Sequence, residues 1–170
     1  TRPRHAPPPP RGRGKKVNIV VDPAACAAPK LLDLIRADSE YEDVFLSGQD
    51  ALILADARSL LIVVDTNRPE QVESRDLLDS MTRVAVIDHH RRAADYISNA
   101  ALNLHEPFAS SASELVTELL TYTVDAKTIL PCELAALMAG IVLDTKNFTG
   151  GVNRRTFEAA AFPRCSGGGA

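Results

Sequence analysis

Tryptophan is absent from this 170-residue chain, aromatic side chains make up 5% of it, and cysteine occurs three times, at Cys26, Cys132 and Cys165. An odd number of widely spaced cysteines without a CxxC pair argues against a disulfide framework and for reduced thiols in a cytoplasmic protein. Long apolar runs are missing as well. The longest, Leu134 to Leu143, has ten residues, about half of the roughly 20 that a membrane-crossing helix needs. Positive charge is scarce outside the start of the chain: six of the nineteen Lys/Arg fall in residues 1–16, leaving thirteen against twenty-two Asp/Glu in the remainder. An acidic body excludes duplex nucleic-acid binding through charge alone, which needs a basic face to displace phosphate counterions. It leaves room for a small phosphate ligand held through metal ions.

What is present is 45% hydrophobic side chains, enough for one domain with a real core and too few residues for two. The segment TRPRHAPPPPRGRG carries almost nothing to bury, and residues 1–16 are expected to be a disordered Pro/Arg-rich tail. It is Arg-rich and acid-poor like a transit peptide, but Pro7 to Pro10 forbid the amphipathic helix such a peptide requires. Residues 164–170 read as a second flexible tail. A start at Thr1 and an end in RCSGGGA lead us to expect a fragment.

From Val17 onward short apolar runs alternate with helical stretches, the pattern of an α/β fold with a mostly parallel sheet flanked by helices. The expected strands are 17–21, 44–46, 60–64 and 84–87. The expected helices are Pro29 to about Ala37, Gly48 to about Ala57 with Ser47 and Asp50 as a capping box, Ser74 to Ser80, a helix opened by one of Ser110, Ser111 or Ser113, and a helix opened by Pro131.

Two of these strands end in aspartate, Asp65 after LLIVV and Asp88 after VAVI. Acids at the carboxyl ends of adjacent parallel strands face the crevice where open α/β sheets bind ligands; the plain alternative is a turn or capping role. His89 and His90, half of the four histidines, follow Asp88 directly. Imidazole with carboxylate favours Mn, Fe, Co or Zn over Ca or Mg. Asp144, at the end of AGIVLD, is a third candidate. His105, before Glu106-Pro107, reads as a surface or loop residue.

VVDTNRPEQVE, VIDHHRR, EPFASSASELVTELL, AGIVLDTKNF and RRTFEAAA, in this order, resemble consecutive motifs of DHH-family phosphodiesterases, and from EPFASSASELVTELL onward the GdpP-type cyclic-di-AMP enzymes in particular. The resemblance covers roughly residues 17–162, within an expected partial domain at 17–163, and implies a DHH phosphoesterase-like fold with a two-metal Mn2+ site. It further implies that Asp65 bridges the two ions, that His89 and Asp144 ligate one, that Asp88 supports the histidine pair from behind, and that His90 contacts the scissile phosphate. The implied reaction opens cyclic-di-AMP to pApA. Arg91 and Arg92 would steady phosphate or nucleotide, or be solvated charge. Ser110, Ser111 and Ser113 would offer donors to a phosphate at a helix start, or simply cap that helix.

The family's earlier His-x-x-x-Asp-x-Asp motif has no counterpart here. His5 is followed by Ala-Pro-Pro-Pro-Pro, and the first aspartate is Asp22. The expectation is therefore a DHH domain incomplete at its N-terminus and doubtful in activity, exposing a sheet edge that invites a homodimer. Its parent would be membrane-anchored with this domain on the cytoplasmic side. The alternatives are another DHH phosphoesterase, acting on short oligonucleotides, 3′-phosphoadenosine phosphate or pyrophosphate, and a degenerate, non-catalytic module binding a nucleotide or a partner.

Overall fold

The structure, a computed structural model, describes residues 15–24, 26 and 28–166, with backbone alone at 163–166. Of the expected tails, 1–16 and 164–170, residues 1–14 and 167–170 lie outside the described residues. Among the described residues, five strands form two parallel sheets. β1 (Ile19–Val20) pairs with β2 (Phe45–Leu46), and β3 (Leu61–Val64), β4 (Val84–Asp88) and β5 (Leu102–His105) follow one another in a three-stranded sheet. Register is tight: Val64 lies opposite Ile87, and Asp88 opposite His105.

The helix starts follow from how the free N–H groups of a first turn are met by side chains or removed by proline. Pro29 opens α1 (Pro29–Arg36), and Ser47 caps α2 (Gly48–Leu54) by accepting from the Asp50 N–H while donating to its carboxylate at 2.7 Å. Ser74 caps α3 (Arg75–Ser80), Ser111 caps α4 (Ala112–Thr123), and α5 (Pro131–Asp144) begins with Glu133 accepting from the Leu130 N–H at 2.7 Å. The second helix stops three residues short of expectation, because Asp56 folds its carboxylate onto the Arg58 N–H at 2.8 Å and takes Ser59 into the same turn. That local bonding competes with helix continuation.

Two elements were not anticipated. β5 is largely exposed and gains its hydrogen bonds from β4, so its short LNLH run carried little signal of its own. Its last residue is His105, which corrects the loop assignment. α6 (Arg154–Ser166) runs three residues into the expected C-terminal tail.

The main apolar cluster joins both sheets. Val63, Val84 and Val86 pack with Ala51 of α2, Leu77 and Leu78 of α3, Met81 and Ile97, and Val20 and Leu46 lean on its rim. Burying such side chains stabilises by roughly 1.5–3 kcal/mol each. Helices α4, α5 and α6 pack on one another, with Gly140 of α5 directly against Ser113 of α4; a Cβ there would strike the serine hydroxyl. This close approach brings the end of α5, and with it Asp144, to the carboxyl ends of β3 and β4.

Candidate metal centre

Because β3 and β4 are parallel and in register, the residues that leave them emerge side by side. The Asp65 N–H continues the ladder to the Ile87 carbonyl at 2.9 Å, and the backbone then turns at φ +67°. A non-glycine residue in the left-handed region is uncommon, although aspartate tolerates it better than most, and such strain concentrates at functional sites. The turn leaves the Asp65 side chain 55% exposed at the strand end.

His89 faces it. The imidazole Nδ1 lies 3.3 Å from the carbonyl oxygen of Ala109, which can only accept, so Nδ1 carries the proton and Nε2 the lone pair. That Nε2 is buried without a hydrogen-bond partner, 3.3 Å from Asp65 Oδ1 and 3.6 Å from Asp144 Oδ2. A lone pair aimed between two carboxylates is unfavourable unless a proton or a cation joins them. The ionisation balances say the same. Asp65, ahead of the opposing effect of burial and with help from Asp144, raises the His89 pKa; burial and then the Asp65 charge raise that of Asp144. Asp65, His89 and His90 each offer a ligand atom within 4.8 Å of the others. Nitrogen with carboxylate oxygen fits Mn, Fe, Co or Zn, so the residues present fit a cation of that group.

Behind this pocket Asp88 is wholly buried. One carboxylate oxygen accepts from His90 Nδ1 at 2.8 Å and the other from Asn67 Nδ2 at 2.5 Å. Burial alone would raise its pKa, but the bonds from His90 and Asn67 outweigh burial and hold it below the usual range. Support for the histidine pair is thus divided. Asp88 fixes the exposed His90, whereas His89 is fixed by the Ala109 carbonyl. Asn67 also accepts from the Ala93 N–H at 3.1 Å and its carbonyl takes the Ile97 N–H at 2.9 Å, tying the 91–97 loop to β4. Neither Ala109 nor Asn67 was foreseen. The backbone carbonyl gives no sequence signal, and Asn67 could have been suspected only as an amide two residues past a strand-ending aspartate. His105 Nε2 donates to the His90 carbonyl at 2.6 Å.

Asp144 closes α5. Thr145, buried, donates from Oγ1 to the Ile141 carbonyl at 2.6 Å and accepts from the Phe148 N–H at 3.0 Å. Lys146, Asn147 and Phe148 all take positive φ, a left-handed turn that costs about 1–2 kcal/mol per residue. Thr145 holds that turn together beside the Asp144 carboxylate.

The remaining candidates stand apart. Ser110 and Ser111 are buried, with both hydroxyls engaged by Glu114: Ser110 donates to its side chain at 2.6 Å and Ser111 accepts from its N–H at 3.0 Å. Ser111 caps α4, and Ser110 is held by the Glu114 side chain. Ser113 lies against Gly140. Arg91 and Arg92 are exposed, Arg92 with its guanidinium 4.7 Å from the centre of the Tyr96 ring.

Three comparisons bear on this arrangement. The cyclic-di-AMP phosphodiesterase PdeA of Listeria monocytogenes serotype 1/2a (strain 10403S) is 42% identical over 152 residues, 88% of this chain and 23% of the relative. The cyclic-di-AMP phosphodiesterase GdpP of Bacillus subtilis (strain 168) is 38% identical over 151 residues, again 88% of this chain and 23% of the relative. The chain therefore spans about a quarter of the length of these relatives. Among solved structures, an exopolyphosphatase-related protein from Bacteroides fragilis superposes with a TM-score of 0.69 at 22% identity over 90% of this chain and 44% of that one, which speaks to the fold. Residues 14–141 match the model of the DHH family, N-terminal domain. With its strand-ending aspartates, paired histidines and parallel sheet, this chain belongs to the DHH family.

Proposed function

We propose that this chain is part of the catalytic domain of a Mn2+-dependent phosphodiesterase that opens cyclic-di-AMP to pApA. The observation that carries the proposal is the buried, unpartnered Nε2 of His89 aimed between Asp65 and Asp144. Asp65, His89 and Asp144 would hold the cation, Asp65 with two oxygens able to span two ions. A cation of this class would lower the pKa of a water and neutralise charge developing on the phosphoryl oxygens. The chain's own residues do the rest. Ala109 keeps the His89 proton on Nδ1, Asp88 holds the His90 Nδ1–H, and His90, 56% exposed, would donate from Nε2 to a phosphate oxygen in its doubly protonated form. Arg91 and Arg92, on the loop that Asn67 pins, would add positive charge to the approach.

The cyclic dinucleotide is favoured by the 38–42% identity to two cyclic-di-AMP phosphodiesterases. A second substrate class has one observation behind it: 37% identity over 94 residues to the bifunctional oligoribonuclease and PAP phosphatase NrnA of Mycoplasma pneumoniae. Incubating the protein that contains this domain with Mn2+ and, in parallel, cyclic-di-AMP, pApA and 3′-phosphoadenosine phosphate separates them. Linear pApA as the product of the first, lost in His89→Ala, is the expected result. Turnover confined to the other two substrates would replace the proposal, and turnover unchanged in His89→Ala would end it. Self-association is the accompanying proposal. Ile62 and Val64 on β3 and Leu102 on β5 are 53%, 46% and 60% exposed, and sedimentation should show a dimer if that face is covered by a second copy.

A further inference from the structure

Glu114 is buried without any exposed surface in the first turn of α4, yet none of the roles above uses it. Its Oε2 accepts twice from one residue, from the Ser110 N–H at 3.2 Å and the Ser110 hydroxyl at 2.6 Å, and its Oε1 has no hydrogen-bond partner, with Arg155 Nε of α6 4.0 Å away. Arg155 is itself held in place by a two-pronged contact with Glu118, 2.7 Å at each prong. Ser110 shares its peptide unit with Ala109, and the N–H of that unit is the one Glu114 accepts from. The carbonyl of the same unit is the one His89 Nδ1 meets. Since a peptide unit is planar and rigid, a grip on its N–H fixes the direction of its C=O.

We infer that Glu114 is a positioning residue for the metal centre: by holding both donors of Ser110 it orients the Ala109 carbonyl, which sets the His89 tautomer and so leaves the Nε2 lone pair to a cation. An ordinary capping box would have Glu114 reach back to the N–H of the cap, Ser111. Here it reaches one residue further, to the peptide that touches the histidine. Groups that orient a metal-binding imidazole typically shift metal affinity 10–100-fold.

The inference rests on the reading of His89 as a metal ligand, and its test keeps the two apart. Nitrogen-15 spectra of the His89 ring in the metal-free chain at pH 8 report the tautomer directly, and a Mn2+ titration reports the site. The wild type is expected to show the Nδ1–H form and bind Mn2+. Glu114→Ala should give a mixture of tautomers and about 10–100-fold weaker Mn2+ binding, while Glu114→Gln, whose amide oxygen can still accept both Ser110 donors, should restore both. If Glu114→Ala fails to fold, Glu114→Asp decides, because it keeps a carboxylate in the first turn of the helix but is one methylene too short to hold the Ser110 N–H; a shift toward mixed tautomers is expected. A pure Nδ1–H form with wild-type Mn2+ affinity in whichever of these two variants folds would overturn the inference. A wild type that shows the Nδ1–H form but takes up no Mn2+ would instead refute the metal reading and leave the orientation of His89 standing.

Discussion

Asp65 and Asp88 occupy equivalent places in sequence, each ending an apolar strand, yet the fold treats them in opposite ways. Asp65 is half exposed, strained at φ +67°, and turned toward a histidine nitrogen that lacks a partner. Asp88 is sealed, with each oxygen occupied by a hydrogen bond and its pKa depressed by them. The first costs stability through its left-handed backbone; the second serves the fold and holds His90. An acid at a strand end acquires its role from what surrounds it. One residue of register difference decides the case, since Asp88 still belongs to its strand whereas Asp65 lies just past the end of its own.

Asn substitutions sharpen that contrast. Asp88→Asn should be the more damaging to stability: its amide can satisfy at most one of Asn67 Nδ2 and His90 Nδ1, and a buried donor left unpaired costs about 1–3 kcal/mol. Urea denaturation checks this, and a loss below about 0.5 kcal/mol would contradict it. Acid unfolding adds a second mark. A carboxylate whose folded pKa lies below its unfolded value of about 3.9 contributes stability present above that value and lost as the pH falls through the folded pKa. The wild type should therefore lose stability on acidification below about pH 4, and Asp88→Asn should flatten that limb.

Asn67→Ala comes next. It removes the amide that joins Asp88 to the Ala93 N–H, and a loss of about 1–3 kcal/mol is expected by the same reasoning. Solvent exchange at the Ala93 amide should rise with it.

Asp65 inverts the pattern. Asp65→Gly should gain up to about 1 kcal/mol in thermal stability by relieving the left-handed backbone, while weakening Mn2+ binding by about 100-fold or more, beyond what outer partners of a ligand contribute. Destabilisation by Asp65→Gly would mean that its carboxylate serves the fold instead.

Most of this architecture was legible beforehand because strand and helix signals in this chain are local. Ser47, Pro29 and Pro131 each announced a helix start that the structure keeps. β5 was illegible since its order comes from pairing with β4, and α2 ended early through an Asx turn that its apolar pattern could not reveal. At the site, Asp65, His89 and Asp144 stood out as side chains with metal-binding chemistry, and the fold does bring them together. The supporting partners did not, because the Ala109 carbonyl beside His89 has no side-chain signature, and Asn67 beside Asp88 and Glu114 beside Ser110 acquire their contacts only in the folded chain.

Calorimetric titration of the metal-free chain with Mn2+, run on the wild type and on Asp65→Asn, tests the central claim most directly. Asparagine tolerates the left-handed backbone at position 65, so the variant should fold as the wild type does. Saturable binding in the wild type that falls by about 100-fold or more in Asp65→Asn is the predicted result; equal binding by both, or none by either, would contradict the assignment of Asp65, His89 and Asp144 as a metal centre.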